Sequence, residues 1–236
     1  MLACSGYFNP VISQFTVKKR DLNYKMTTNK RPYLSSRERQ ALILHAAFEE
    51  FSKRGFLATS MERIASRAKL SKSGIYAHFK SKNEIFKEML LTVLLPPMDY
   101  VIPIQKKADD SLANLVEKYL ERRYTILSTD KAIAAFRLLI VESARIPDLV
   151  RQCVERLLER GLSNDIKFLT TLNKGADHKK QSNLPNIALE DYLLANSPTS
   201  LWLSQIAIFG AENPPVPLDK VKALHKEYLL KLLESV

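Results

Sequence analysis

Glycine is scarce in this chain. Six glycines in 236 residues are too few to punctuate the many tight turns of an all-β fold. Proline is absent from Ser35 to Leu95, which favours helices there. Cysteine is scarcer still. Cys4 and Cys153 lie far apart and form no CxxC, so no disulfide framework is expected and a reducing cytoplasm fits. No apolar run reaches the ~18–20 residues of a membrane span. The opening "MLACSGYFNPVISQF" lacks a basic start and a continuous apolar run, so it does not read as a signal peptide. There is no glycine-rich phosphate loop and no internal repeat. His45, His78, His178 and His225 are scattered, and none pairs locally with a Cys, Asp or Glu in a metal or nucleophile motif. No catalytic residue, metal or cofactor is therefore expected. That argues against an enzyme, although residues distant in sequence can converge in space.

Acidic residues are the other shortage, and it is local. Residues 1–26 carry four Lys/Arg against one Asp; residues 27–95 carry thirteen against six Glu; residues 96–236 carry nineteen against eighteen. Nearly all of the net +11 thus sits in the first 95 residues. A basic front on a neutral body points to a nucleic-acid-binding module joined to something else. An anionic membrane surface is the competing partner, but no basic amphipathic anchor stands out.

Three S/T-x-x-E patterns mark helix starts: Ser35 with Glu38, Thr59 with Glu62, and Ser81 with Glu84. In such a capping box a hydroxyl and a carboxylate satisfy the exposed amides of the first turn. The spacing predicts a helix over 36–54 with Ile43, Ala47, Phe48 and Phe51 on its apolar face. Gly55 is expected to stop it in a left-handed conformation, and Phe56 to fold back onto the core. A second helix is expected over 60–68, burying Met61, Ile64 and Ala65. Ser71 then caps a third over 72–79 with Ile75 and Phe79 inward. The fourth runs from Ser81 to Leu95, where Pro96 and Pro97 end it. Further helices are expected over 110–128, 131–145, 148–171, 187–209 and 219–235. Residues 1–33 read as a flexible N-terminal tail, with Met26 a second candidate start; 34–82 read as one domain and 83–236 as another. The fold class is all-α.

Two short helices joined by a tight turn, the second exposed and basic, make a helix-turn-helix. Small Ala65 lets the helices approach. The third helix presents Ser71, Lys72, Ser73 and Gly74 at its N-terminal end, where free amides and partial positive charge suit a phosphate or a groove. Gly74 costs helix stability by roughly 1 kcal/mol against Ala. Either a bare backbone is needed against a base edge, or Gly74 merely packs closely. Tyr76 and His78 lie on the outer side and can bond phosphate oxygens, His78 also a base. Thr59 and Lys82, at adjoining helix starts, are candidate phosphate clamps.

The run "RQALILHAAFEEFSKRGFLATSMERIASRAKLSKSGIYAHFKSKNEIF" resembles the DNA-binding domain of the TetR family of transcriptional regulators. "GF" follows the first helix, "TSMERIA" opens the second, "SKSGIYAHF" is the recognition helix and "KSKNEIF" begins the fourth. Lys69 departs from the family, which often has glycine there; a left-handed turn would cost its side chain on the order of 1 kcal/mol. The resemblance implies a homodimer on a palindromic double-stranded DNA operator. It further implies a repressor released by a small-molecule effector. By the same resemblance Ser71, Lys72, Ser73, Gly74, Tyr76 and His78 form the reading surface, with Thr59 and Lys82 on phosphates.

"FRLLIVESARIPDLVRQCVERLLERG" is similar to a stretch of AcrR-like members of that family. A helical ligand-binding and dimerisation domain is then implied. Tyr100, Tyr119, Tyr124, Phe136 and Phe168 are its pocket candidates, against the plainer reading that they are core. Trp202, Ile206, Phe209 and Tyr228 are the candidates for the dimer interface, against the reading that Trp202 fills the protomer's own core. Glu142 and Arg145, one turn apart, can pair with each other. The rival to a sequence-specific regulator is a DNA-coating protein, whose affinity would depend on salt without a defined site.

Overall fold

The computed structural model describes residues 34–95, 111–173 and 189–234. Among these residues the chain is all-helical, without a strand. It divides into two compact units, one ending at Met89 and the other beginning at Leu90. The expected tail and Tyr100 lie outside the described residues.

The first unit opens with α1 (Ser36–Arg54). Its capping box forms as expected: Ser35 Oγ accepts from the Glu38 amide at 3.2 Å, and the Ser35 amide donates to Glu38 Oε2 at 2.8 Å. Gly55 ends the helix with φ 76° and ψ 173°. The positive φ asks for glycine, but the extended ψ differs from the left-handed stop read from sequence. Phe56 does turn inward. Its ring lies 5.7 Å from Phe51 and 5.1 Å from Phe86, and Phe51 and Phe86 are 5.2 Å apart edge to face. Each buried phenylalanine contributes roughly 1.5–3 kcal/mol from area alone, so this triad is a substantial part of the unit's core.

Helix α2 (Met61–Ala68) is capped by Ser60, whose side chain accepts from the Arg63 amide. The sequence pattern assigned that role to Thr59. Thr59 instead is buried, and its hydroxyl donates to the carbonyl oxygens of Gly55 at 2.8 Å and Glu50 at 3.3 Å. Lys69 ends α2 in the left-handed region, φ 56° and ψ 37°, at the place the family resemblance marks for glycine. Helix α3 (Lys72–Tyr76) is shorter than expected and leaves His78 and Phe79 beyond its end. Helix α4 (Lys82–Leu94) follows. Ser81 Oγ accepts from the Glu84 amide, but the Glu84 carboxylate reaches back to the Lys80 amide, one residue earlier than in a standard box.

The second unit holds α5 (Leu112–Leu127), α6 (Asp130–Ser143), α7 (Pro147–Asn173), α8 (Leu189–Phe209) and α9 (Leu218–Glu234). Pro147 begins α7; at the first helical position its missing N–H costs nothing. A core of Val116, Leu120, Tyr124, Ile133, Trp202, Ile206 and Val221 joins α5, α6, α8 and α9. Pro198 lies inside α8 and cannot donate to the Leu194 carbonyl. The Ser197 hydroxyl donates to that carbonyl instead, at 2.8 Å.

Candidate functional site

The α2–α3 pair is built around a buried seam. Ile64, Ala65, Ile75 and Phe79 are at most 5% exposed, which sets the angle between the helices and forces the other face of α3 outward. On that face Ser71, Lys72, Ser73 and Tyr76 are exposed, and Gly74 and His78 are half-buried. Ser71 Oγ caps α3 by accepting from the Gly74 amide at 3.0 Å, and lies 3.0 Å from Ser73 Oγ. A Cβ on residue 74 would stand 3.2 Å from Ser71 Oγ and 3.7 Å from the Leu70 Cβ. Glycine there keeps the cap undisturbed, so close packing accounts for part of its presence. His78 Nδ1 is 3.5 Å from Ser36 Oγ, which places the start of α1 beside the same surface.

Lys72 Nζ meets Glu62 Oε1 at 2.5 Å, across the helix pair. That hydrogen bond raises the lysine's pKa and lowers the glutamate's to about 2. Both therefore carry charge at neutral pH. An exposed pair of this kind is weak and screened by salt, so a phosphate can displace Glu62.

The two expected phosphate clamps are turned inward. Thr59 is 1% exposed with its hydroxyl committed. Lys82 Nζ donates to the carbonyl oxygens of Phe56 and Thr59, each at 2.8 Å, and sits 4.3 Å from the centre of the Phe56 ring. Both residues therefore fasten the 55–59 turn to the start of α4 in this structure, because the turn leaves carbonyls that need donors. Sequence reasoning also passed over Glu50. It is buried, and it accepts from Arg67 Nε at 2.5 Å and Arg54 Nε at 3.3 Å. The Arg67 hydrogen bond holds its carboxyl below the usual range despite burial. The spacing to Arg54 was a visible signal; the reach to Arg67 was not.

The second unit holds a partly open cavity of about 230 Å³ between α5, α6, α7, α8 and the end of α4. Of the candidate pocket residues, Tyr119 and Phe136 line it and Tyr124 does not. Tyr124 packs behind, 2.9 Å from His225 Nδ1. Phe168 lies outside the residues whose side chains are described. One end of the cavity carries a buried polar group that sequence did not single out. Arg123 Nη1 donates to Tyr119 Oη at 2.9 Å and to both Asp165 oxygens at 3.1 and 3.2 Å, and the Tyr119 hydroxyl donates to Asp165. Burial first, then the Asp165 charge, pushes the Tyr119 and Tyr192 phenols up, so both stay protonated. Arg123 and Asp165 are 42 residues apart, and no local pattern joins them.

Residues 43–89 match the model of bacterial regulatory proteins of the tetR family. The uncharacterized HTH-type transcriptional regulator YhgD of Bacillus subtilis is 27% identical over 201 residues, covering 84% of this chain and 98% of its own. Residues 43–89 thus form a helix-turn-helix domain of the TetR family. The chain is a transcriptional regulator with a DNA-binding helix-turn-helix. The HTH-type transcriptional activator FasR of Mycolicibacterium smegmatis is 45% identical over 53 residues, 22% of this chain and 24% of its own. Of the solved structures, a TetR-family regulator from Mesorhizobium loti shares the fold. Its TM-score is 0.59 at 20% identity, covering 86% of this chain and 98% of that one.

The expected dimer residues divide. Trp202 is 2% and Ile206 0% exposed within the protomer, and Trp202 Nε1 donates to Ser128 Oγ at 3.0 Å. Both belong to the protomer's own core. Tyr228 packs half-buried against that core. Phe209, at 60% exposed, remains available to a partner. The mutual pairing of Glu142 and Arg145 is present at 3.5 Å. Among the described residues no helix is long and apolar enough to cross a membrane, and no group of His, Cys, Asp or Glu is placed to hold a metal.

Proposed function

We propose that this regulator is a cytoplasmic homodimeric repressor, released from a palindromic operator by a small molecule. One observation carries the DNA-binding part. The buried Ile75 and Phe79 hold α3 so that its capped N-terminal end and Tyr76 face outward, in the segment that holds most of the net charge. Ser71, Lys72, Ser73, Gly74, Tyr76 and His78 form the reading surface. Ser71 shapes it through the cap, and Lys72 changes partner from Glu62 to phosphate. Thr59 and Lys82 act beneath it as supports.

The homodimer uses the face of α8 that the core leaves out. Leu194, Leu201 and Ile208 fall seven residues apart and are 62%, 44% and 69% exposed, with exposed Ser197 and Ser204 between them. That is the heptad spacing with which one helix packs on another. Phe209 adjoins it. Release by a ligand follows if the cavity in the second unit favours one separation of the two reading heads. The ligand then weakens DNA binding by its differential affinity for the two states. Helix α4 runs from Lys82 to Leu94, which lines the cavity, and is the element that carries the signal.

Transcription in vitro from the promoter upstream of the protein's own gene tests this. Added protein should bind that DNA and lower the transcript. Bound protein that raises the transcript would overturn repression and leave DNA binding standing.

A further inference from the structure

We propose that Glu62 sets the protein's affinity for DNA from the edge of the reading surface, by competing with the phosphate backbone for Lys72. This rests on the reading surface given above and adds to it a residue that opposes binding.

The glutamates of the basic first unit have different partners. Glu38 and Glu84 accept backbone amides at the starts of α1 and α4. Glu49 and Glu50 hold Arg67. Glu62 instead is bonded to a residue of the reading surface, its Oε1 lying 2.5 Å from Lys72 Nζ. The buried Ile64, Ala65 and Ile75 fix α2 against α3, and with that the meeting of their first turns.

The pair is open to exchange. Its side chains are 60% exposed at Lys72 and 56% at Glu62, so water and salt screen their attraction. A phosphate offers Lys72 the same charge and its own acceptor oxygens. Glu62 does not answer by becoming neutral. Released from Lys72, its carboxyl moves back toward the ordinary 4.5 and stays ionised at pH 7.

Docking is therefore opposed twice. An ion pair opens, and a negative charge is left beside the DNA backbone. Neither effect depends on base sequence. Glu62 thus weakens binding to any duplex, and so holds down the non-specific attachment that a net charge of +11 promotes.

Fluorescence anisotropy with the full-length protein tests this. Two labelled duplexes of equal length are compared, one of random sequence and one holding the segment protected in footprinting, between about 50 and 200 mM KCl. Glu62→Gln keeps the size of the side chain and removes its charge. It should bind both duplexes about three- to tenfold more tightly at the lowest salt, by similar factors. Its affinity should also fall more steeply with salt, by up to about one in the log–log slope per protomer. Lys72→Gln should weaken binding in the wild type, and weaken it further in Glu62→Gln, where the lysine has no internal partner to leave. Glu62→Gln gives up the pair and a first-turn carboxylate, so it should melt no higher than wild type. Tighter binding alongside that cannot come from a sturdier fold.

Unchanged or weaker binding by Glu62→Gln would overturn the inference. So would a gain on the protected segment alone, which would make Glu62 a reader of bases. If Lys72→Gln weakens binding and Glu62→Gln changes nothing, the inference fails and the reading surface stands. If neither substitution matters, Lys72 leaves the reading surface and the inference falls with it.

Discussion

Lys82 illustrates how a single side chain changes role between sequence and structure. Its position suggests a phosphate clamp, yet its ammonium sits on the carbonyls of Phe56 and Thr59. Lys82→Met removes those donors and should cost about 1–3 kcal/mol of stability, read by urea denaturation with circular dichroism. A variant as stable as wild type, but with a shallower salt dependence of DNA binding, would restore the clamp. His225 makes a second residue-scale statement. It is fully buried, with Nδ1 bonded to Tyr124. Burial, with Arg123 adding to it, pushes its imidazole down to about 2. The unfolded chain protonates this residue near its ordinary value of 6.5 and the folded chain does not. Its contribution is therefore complete above pH 6.5 and falls as pH drops, by ~1.4 kcal/mol per pH unit. Unfolding free energies at pH 7 and pH 5 should show that slope in the wild type and lose one proton's worth of it in His225→Phe. An unchanged slope would contradict neutral burial.

At the scale of the element, helix ends show where local chemistry suffices and where it does not. Ser35 and Glu38 form their box because both partners lie within one turn and nothing else competes. Thr59 and Ser60 are adjacent hydroxyls, and the sequence pattern chose the first. The structure uses Thr59 for the carbonyls of Glu50 and Gly55, a tertiary demand the pattern does not contain. The same limit explains the cavity. Aromatic spacing found Tyr119 and Phe136, but Arg123 with Asp165 needed two helices brought together. Trp202 was legible as buried; which partner buries it was not. Lys69 was legible as a departure, and its φ of 56° shows the left-handed turn is kept. Lys69→Gly should therefore stabilise the protein by about 1 kcal/mol and raise its melting temperature by a few degrees. A lower melting temperature would mean that the Lys69 side chain contributes more than its backbone costs.

The whole molecule is a basic helix-turn-helix segment joined to a nearly neutral helical body, and the function proposed for it takes two copies. The exposed stripe of Leu194, Leu201 and Ile208 is the surface proposed to join them. Leu201→Asp with Ile208→Asp should convert the dimer to monomer in sedimentation velocity, with helix content unchanged. A dimer that survives both charges would place the interface elsewhere.

The central claim is that α3 reads a defined DNA sequence from each protomer. Hydroxyl-radical footprinting on the DNA upstream of the protein's own gene, at moderate salt, tests it most directly, with wild type and Tyr76→Ala side by side. The account predicts one protected near-palindrome with half-sites about one helical turn, ~34 Å, apart, and loss of that protection in the variant. Uniform protection along the fragment, lost evenly as salt rises, would contradict it.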